Sequence, residues 1–180
     1  MKILRGNKGQ TIIEAIIALS LLTTGFLGMV GLLSRSLFLN RVTSDELTAT
    51  YLASEGVELA KNIIDHDVYA HLAVPPQGAG WGTSFGIGGD FQFDTGTCTQ
   101  GAAYCGQPPQ SFDGAALKYD PATHLYGYGG PGATTNFVRR IRVTVPNAGE
   151  IVVNSIVTWS TGAITSQSVN IEDHFYNWHP

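Results

Sequence analysis

Charged residues are scarce in this chain, and their scarcity limits the classes of protein that it can be. Only 13% of the 180 residues are charged, and 14 acidic against 10 basic residues give a net charge of −4. This balance argues against nucleic acid as the main partner, because binding to phosphate depends on clustered Lys and Arg. Arg139, Arg140 and Arg142 form one local basic cluster, which we interpret as the solvated face of a strand.

Motifs of metal and cofactor chemistry are also missing. The chain has no Walker loop, no dinucleotide-binding fingerprint and no Asn-x-Ser/Thr acceptor site. Its five histidines lack metal-ligand spacing, and we interpret the Asp65-His66-Asp67 segment as a solvated turn. Cysteine is limited to Cys98 and Cys105, so no second pair completes a zinc site. We therefore predict no metal and no cofactor.

One catalytic motif is matched, around Ser84. Residues 82–86 read G-x-S-x-G, the pattern of a nucleophile elbow, which needs a strand before the serine and a helix after it. The glycines that follow, Gly88 and Gly89, do not favour a helix. We predict that the protein is not an enzyme, and an anchored hydrolase using Ser84 is kept as an alternative.

Charge is absent altogether from residues 15–34, which are mostly apolar. A helix of these 20 residues would be about 30 Å long, the thickness of the hydrocarbon core of a bilayer. Lys2, Arg5 and Lys8 precede the stretch and favour a cytoplasmic N-terminus with the C-terminal domain translocated. A cleaved signal peptide is the alternative, but the apolar tract is longer than a typical signal core and no Ala-x-Ala site follows it.

Proline is absent before Pro75, so nothing interrupts a helix that starts near Gln10. Apolar residues recur every three or four positions as far as Ile64, with polar residues between them. We predict one continuous helix with a transmembrane half at 10–34 and an amphipathic half at 35–64. Three glycines in the membrane half would allow a bend or the close approach of another helix: Gly25, Gly28 and Gly31.

The remaining residues, 65–180, predict a β-rich globular domain. A Gly-rich region with interleaved aromatics runs from Pro75 to Gly96. Its composition predicts an ordered surface loop or short strands, with one strand at 91–93. A turn at 120–123 predicts a hairpin. Three further strands form an antiparallel meander in our prediction: Asn136–Val145, Ile151–Ser160 and Ala163–Glu172. Packed on the exposed half of the helix, these strands give an α+β fold with a Gly-rich loop insertion.

The N-terminus resembles that of type IV pilin-like proteins. The resemblance lies in Lys8-Gly9-Gln10-Thr11-Ile12-Ile13-Glu14 and the uncharged stretch after it. Residues 51–61 and 153–159 are also similar to minor pilins of the type IV pilus modification group and to minor pseudopilins. The resemblance implies the type IV pilin fold, a leader at 1–9, and cleavage by prepilin peptidase between Gly9 and Gln10. It also implies N-methylation of Gln10, although the family usually has Phe or Met there, and it identifies Glu14 as the retained glutamate that sets subunit register.

By this resemblance the chain is a structural subunit, more similar to a minor pilin than to a major one. The implied partners are prepilin peptidase, other pilin subunits, the inner-membrane assembly platform and the membrane. The protein would begin as a single-pass cytoplasmic membrane protein with its domain outside, and end in an extracellular or periplasmic filament. The alternatives are a pseudopilin of a type II secretion or DNA-uptake system and a membrane-anchored adhesin or binding domain that never polymerises.

Cys98 and Cys105 are close in sequence and even in number. In an exported protein such a pair predicts one disulfide, and we expect the two to be oxidised after export. In a reducing compartment they would be free thiols or a two-ligand metal fragment.

Overall fold

The computed structural model describes residues 10–72, 80–94, 109–162 and 164–178. Within them, one long N-terminal helix packs against an antiparallel sheet. A smaller sheet is formed by residues that fall between two strands of the larger one in the sequence. This is the α+β layout that was predicted, and it matches the pilin-like arrangement of a long helix on an antiparallel sheet.

The helix, α1, runs from Gln10 to Leu72 over 63 residues. It ends about two turns beyond Ile64, so the predicted solvated turn at 65–67 is wrong. Asp67 is buried in the last part of the helix, where its carboxylate accepts hydrogen bonds from the backbone N–H and the hydroxyl of Ser84. Because these donors satisfy the buried carboxylate, the helix can continue through this acidic segment.

The chain divides into two units, and the first ends at Ser44. In that unit α1 exposes every described side chain from Ile12 to Arg41. By length and composition α1 is able to cross a membrane, and none of the described residues buries its apolar window.

The second unit begins at Asp45 and contains the remainder of α1 and both sheets. The strands of the larger sheet are β1 (Gly88–Gln92), β2 (Gln110–Ser111), β6 (Val138–Asn147), β7 (Glu150–Thr161) and β8 (Ile164–Tyr176). They are antiparallel and lie in the order β2-β1-β6-β7-β8. The smaller sheet has the order β4-β3-β5 and consists of β3 (Lys118–Asp120), β4 (Leu125–Gly127) and β5 (Ala133–Thr134). The predicted meander, now β6-β7-β8, and the predicted hairpin, now β3-β4, are both confirmed.

The described part of the Gly-rich region, residues 80–94, belongs to the core more than to the surface. Its strand, β1, lies inside the sheet between β2 and β6. Phe85 and Phe93 are buried, and the Phe85 ring meets Phe91 edge to face with ring centroids 5.5 Å apart. The prediction of a short strand is confirmed by β1, and the turns before it, residues 81–87, include both the buried Phe85 and the exposed Ile87. The interleaved aromatics supply apolar area that the glycines lack.

Two apolar clusters hold α1 against the larger sheet. One cluster joins the second half of the helix, including Ile63 and Ile64, to Ile141, Ile151 and Val153 and to the residues around them. The other lies one to four turns earlier along α1 and contains Ala49, Leu52, Ala53, Leu117, Phe137, Val157 and Trp159. The alternation of buried and half-exposed residues along β7 shows that one face of the sheet meets the helix and the other faces outward.

Candidate assembly surface on the N-terminal helix

Glu14 lies on the uncovered stretch of α1, one turn after the first helical residue. Together with Ile13, Ile17, Ala18 and Leu21 it lines a shallow, mainly apolar depression on the helix surface. In the described part of the chain, no cation pairs with Glu14. A carboxylate without a cation among apolar side chains is costly in a lipid environment and is typical of functional positions.

Three hydroxyl groups in the apolar part of the uncovered stretch are satisfied within the helix. Ser20 donates to the carbonyl oxygen of Ile17 at 2.8 Å, and Thr24 donates to that of Ser20 at 2.8 Å. Thr23 also donates to the Ser20 carbonyl. These bonds remove the polar cost of three side chains, because each donor finds an acceptor one turn back along α1. Glu14 therefore stands out as the carboxylate of this stretch, at the start of its uncharged part.

The three glycines of this stretch have open space where a side chain would lie. A Cβ atom added at Gly25, Gly28 or Gly31 would meet nothing within 4 Å. Small residues at such spacing allow the backbone of a second helix to come close.

The two predicted processing residues, Gly9 and Gln10, lie on either side of the start of the described part of the chain. Gly9 lies outside the described residues, and Gln10 is the first residue of α1. The predicted disulfide pair, Cys98 and Cys105, also lies outside the described residues. Cleavage, methylation and disulfide formation stay predictions.

Ser84 is not part of a nucleophile elbow. The residues around it, Thr83–Phe85, form a 3₁₀ turn rather than a strand-to-helix junction. Its hydroxyl donates to Asp67 Oδ1 at 2.6 Å, and its backbone N–H donates to Asp67 Oδ2 at 2.8 Å. These contacts give Ser84 a positional role: it ties the turn before β1 to the end of α1.

Arg139 corrects the prediction of a solvated arginine cluster. Strand β6 alternates, so Arg139 points to the helix side with Ile141, and its side chain is completely buried. Its guanidinium donates to the Leu52 carbonyl at 3.1 Å, the Phe93 carbonyl at 2.9 Å and the Glu55 carboxylate at 3.1 Å. The buried charge is stable there because α1 supplies two acceptors and the segment just after β1 supplies a third.

Arg140 and Arg142 follow the prediction and lie on the outward face of the sheet. Arg142 donates twice to the Asp90 carboxylate, at 2.8 and 3.1 Å, and Arg140 lies 3.8 Å from it. The hydrogen bond from Arg142 lowers the pKa of Asp90 below its ordinary value. The Arg140 guanidinium also lies over the Phe112 ring, 5.8 Å from its centre.

A second polar group that sequence reasoning missed lies on the outward face near the end of β8. His174 Nδ1 lies 2.8 Å from Glu150 Oε1, and its Nε2 lies 3.3 Å from Glu172 Oε1. Hydrogen bonds to Glu150 and then to Glu172 raise the pKa of His174. The pairing with Glu150 crosses from β7 to β8 and depends on their register, for which the sequence carries no direct signal.

Comparisons with protein-family models, with curated proteins and with solved structures give no match for this chain. The assignment of function therefore depends on the N-terminal motif and on the chemistry of the uncovered helix.

Proposed function

We propose that the protein is a structural subunit of a type IV pilus-like filament, more like a minor pilin than a major one. In this proposal prepilin peptidase cuts between Gly9 and Gln10, and the same enzyme methylates the new N-terminus. The subunit waits in the membrane and then joins a filament through α1, delivered by the inner-membrane assembly platform. The motif around Gly9 and the α+β layout support this assignment together.

The observation that carries the proposal is the uncovered stretch of α1 with one carboxylate in it. An anchor needs only to be apolar, and a charged group near its start makes it worse as an anchor. An assembly element benefits from that group, because a single buried charge accepts only an opposite charge as its partner. Glu14 therefore favours a helix that leaves the lipid and packs against protein.

The partner for Glu14 in this proposal is the free amine of a neighbouring subunit at Gln10. Cleavage after Gly9 creates that amine, so processing and register are linked in one chemical step. With water excluded from a packed helical core, this ion pair would be satisfied in one axial arrangement of the two helices, and others would leave two charges unpaired.

Incorporation into filaments tests the proposal directly. Cells producing wild-type chain, Glu14→Ala or Glu46→Ala are sheared, and the subunit is quantified in the filament and membrane fractions. Glu46 is an exposed acid farther along the same helix and serves as the matched control. We expect Glu14→Ala to lower the filament-to-membrane ratio at least about tenfold, because removing one partner of a buried ion pair costs about 3–5 kcal/mol. Glu46→Ala should leave the ratio unchanged.

Two results would contradict the proposal. Mass spectrometry that finds an intact Met1, or a cut near Ser36, would exclude pilin-like processing. Equal incorporation of Glu14→Ala and wild type would exclude the register role of Glu14. A chain that is cut after Gly9 and found only in the membrane fraction would instead indicate an anchored binding domain.

A further inference from the structure

Strand β8 forms one edge of the larger sheet and is long for an edge strand. It runs for 13 residues from Ile164 to Tyr176 and pairs with β7 along its length. Among the described residues, no strand pairs with its other side. Natural proteins usually protect such an edge with Pro, Lys, a covering element or a short strand. The β8 sequence contains neither Pro nor Lys and no Gly, so its edge remains suited to pairing.

The register identifies the backbone groups that face outward. Asn147 and Glu150 close a two-residue turn between β6 and β7, so Glu150 directs its backbone groups toward β6. The next residue, Ile151, then directs its backbone groups toward β8, where it pairs with Phe175. By alternation, the odd-numbered residues of β8 direct their backbone groups toward β7. The next odd-numbered residue after β8 follows the same direction, because the N–H of Asn177 donates to the Gly149 carbonyl at 2.9 Å. Ser168, Asn170 and Glu172 therefore direct their N–H and C=O groups away from the sheet.

One outward N–H group is already occupied by a side chain. The N–H of His174 donates to Asp173 Oδ1 at 2.8 Å. This bond ends the accessible edge on its C-terminal side, since a charged side chain covers the next donor. The accessible edge, defined here as Ser168–Glu172, is long enough for several main-chain hydrogen bonds to one extended segment.

The helix-side face of this edge offers apolar surface. Val169 and Ile171 pack against the cluster that includes Leu52 and Trp159, yet both side chains remain partly exposed. A strand added beside β8 would place alternate side chains next to Val169 and Ile171. Apolar residues at those positions would gain burial, and polar residues would lose solvation.

The outward face of the same edge is acidic. Glu172 has a half-exposed side chain and receives a hydrogen bond from Asn154 at 2.6 Å. Glu150 lies at the same end of this face, and the imidazole of His174 contacts both carboxylates. A residue directly opposite Glu172 on an added strand would therefore be most favourable as Lys or Arg. A second copy of β8 would bring the same carboxylates to the interface, which disfavours self-pairing.

We propose that the edge Ser168–Glu172 of β8 binds an extended segment of another protein by strand addition, and that this segment alternates apolar residues with Lys or Arg. The main chain supplies affinity, while Val169 and Ile171 on one face and Glu172 on the other supply selectivity. This inference goes beyond the proposed function, because an anchored monomer can use the same edge as a filament subunit.

A designed peptide tests the proposal without knowledge of the natural partner. The probe is a nine-residue, end-capped, fluorescent peptide that alternates Val and Lys, titrated against the full chain in detergent micelles and followed by anisotropy. We expect saturable binding that weakens at least about tenfold with Asn170→Pro, since proline removes one outward donor and disturbs its neighbours. Asn170→Ala, the matched control, should bind as wild type does. Proline is tolerated on an edge strand where the N–H faces solvent, so the variant should keep its fold.

Three further arms separate strand addition from simple charge attraction. Methylating alternate backbone nitrogens of the peptide should abolish binding with no change in protein, so this arm holds even if Asn170→Pro fails to fold. Replacing the peptide lysines with Glu should weaken binding, and Glu172→Lys in the chain should do the same. Absence of saturable binding up to about 1 mM, or binding that withstands N-methylation, would overturn the proposal. Concentration-dependent self-association that Asn170→Pro abolishes would also overturn it, in favour of a second copy as the occupant.

Discussion

Between Ile12 and Arg41 every described side chain of α1 is exposed, whereas between Ala49 and Ile64 one side of the same helix is buried against the sheet. Both stretches are regular helix, and both contain many aliphatic residues. The difference lies in what covers them. Among the described residues, a sheet covers the second stretch and no element covers the first. Large exposed apolar surfaces of this kind are typical of membrane or protein contacts.

This comparison separates residues that stabilise the domain from residues for which we propose a role in assembly. Arg139 and Gly56 lie in the covered region and contact several elements at once. Glu14 and Gly28 lie in the uncovered region and contact nothing beyond their own helix in the described chain. Equivalent substitutions should therefore act on folding in one region and on assembly in the other.

The largest effect is expected from Arg139→Met. The change leaves the Glu55 carboxylate and the carbonyls of Leu52 and Phe93 without their donor in or near the core. We expect the free energy of unfolding of the globular domain to fall by about 3–5 kcal/mol. Arg142→Met, on the outward face of the same strand, removes an exposed ion pair and should cost less than about 1 kcal/mol. Urea unfolding of the two variants in micelles measures both values.

A double variant sharpens this result. Adding Glu55→Leu to Arg139→Met removes the unpaired carboxylate, so part of the lost stability should return. If Arg139→Met unfolds like Arg142→Met, the buried ion pair does not hold the covered region together.

Arg139 also shows how far the sequence alone leads. Alternation along β6 predicts the strand and places position 139 with Ile141 on the buried face, but a charged residue there reads as solvated. Its burial depends on acceptors 46 to 87 residues away in sequence, at Phe93, Glu55 and Leu52. Local patterns carry the helix and the β6-β7-β8 meander, whereas such distant partners have no local signature.

The central place of β1 in the sheet could not be predicted from the Gly-rich sequence for a related reason. Its glycines predict turns, and turns are usually on the surface. The position of β1 between β2 and β6 follows from pairing with a strand about 50 residues later, Phe91 with Ile141 for example. The role predicted for Glu14 depends on neighbours within a few residues and on the uncharged stretch behind it, so the sequence alone is enough to propose it.

Replacing glycine with alanine should have different effects in the covered and uncovered stretches of α1. A Cβ atom at Gly56 would collide with the Ser155 hydroxyl and lie 3.2 Å from Arg139 Cδ, while a Cβ at Gly28 would meet nothing. Alanine raises intrinsic helix stability by about 1 kcal/mol at either site. At Gly56 the overpacking outweighs this gain, and we expect a net loss of about 1–3 kcal/mol in domain stability. Gly28→Ala should leave the unfolding of the domain unchanged, as measured by thermal melting in micelles.

Ser155 provides the control for this prediction. Its buried hydroxyl has no hydrogen-bond partner among the residues that the structure describes. Ser155→Ala in the Gly56→Ala background removes the atom that collides and should restore part of the stability. A gain in stability from Gly56→Ala alone would show that helix and sheet are less closely packed at this position.

The smallest effect is expected on the outward face, from the pH dependence of the His174 cluster. Glu150 and then Glu172 raise the pKa of His174 above its ordinary value of 6.5, so its contribution is complete below that pH and is lost as pH rises through the raised pKa. The pKa of Glu150 is lowered mainly by His174, and that of Glu172 by Asn154 and then His174. Their contribution is present above the ordinary value of 4.5 and is lost as pH falls through the lowered pKa values.

The cluster should therefore stabilise the domain most between the two ordinary values. Melting temperatures of wild type and His174→Gln, measured between about pH 3 and 9, should differ most in that window and converge on both sides of it. Because these side chains are solvated, the difference should shrink with added salt, unlike the loss in Arg139→Met. A difference that persists unchanged at alkaline pH would mean that His174 acts through packing rather than charge, and the outward face would then resemble the covered one.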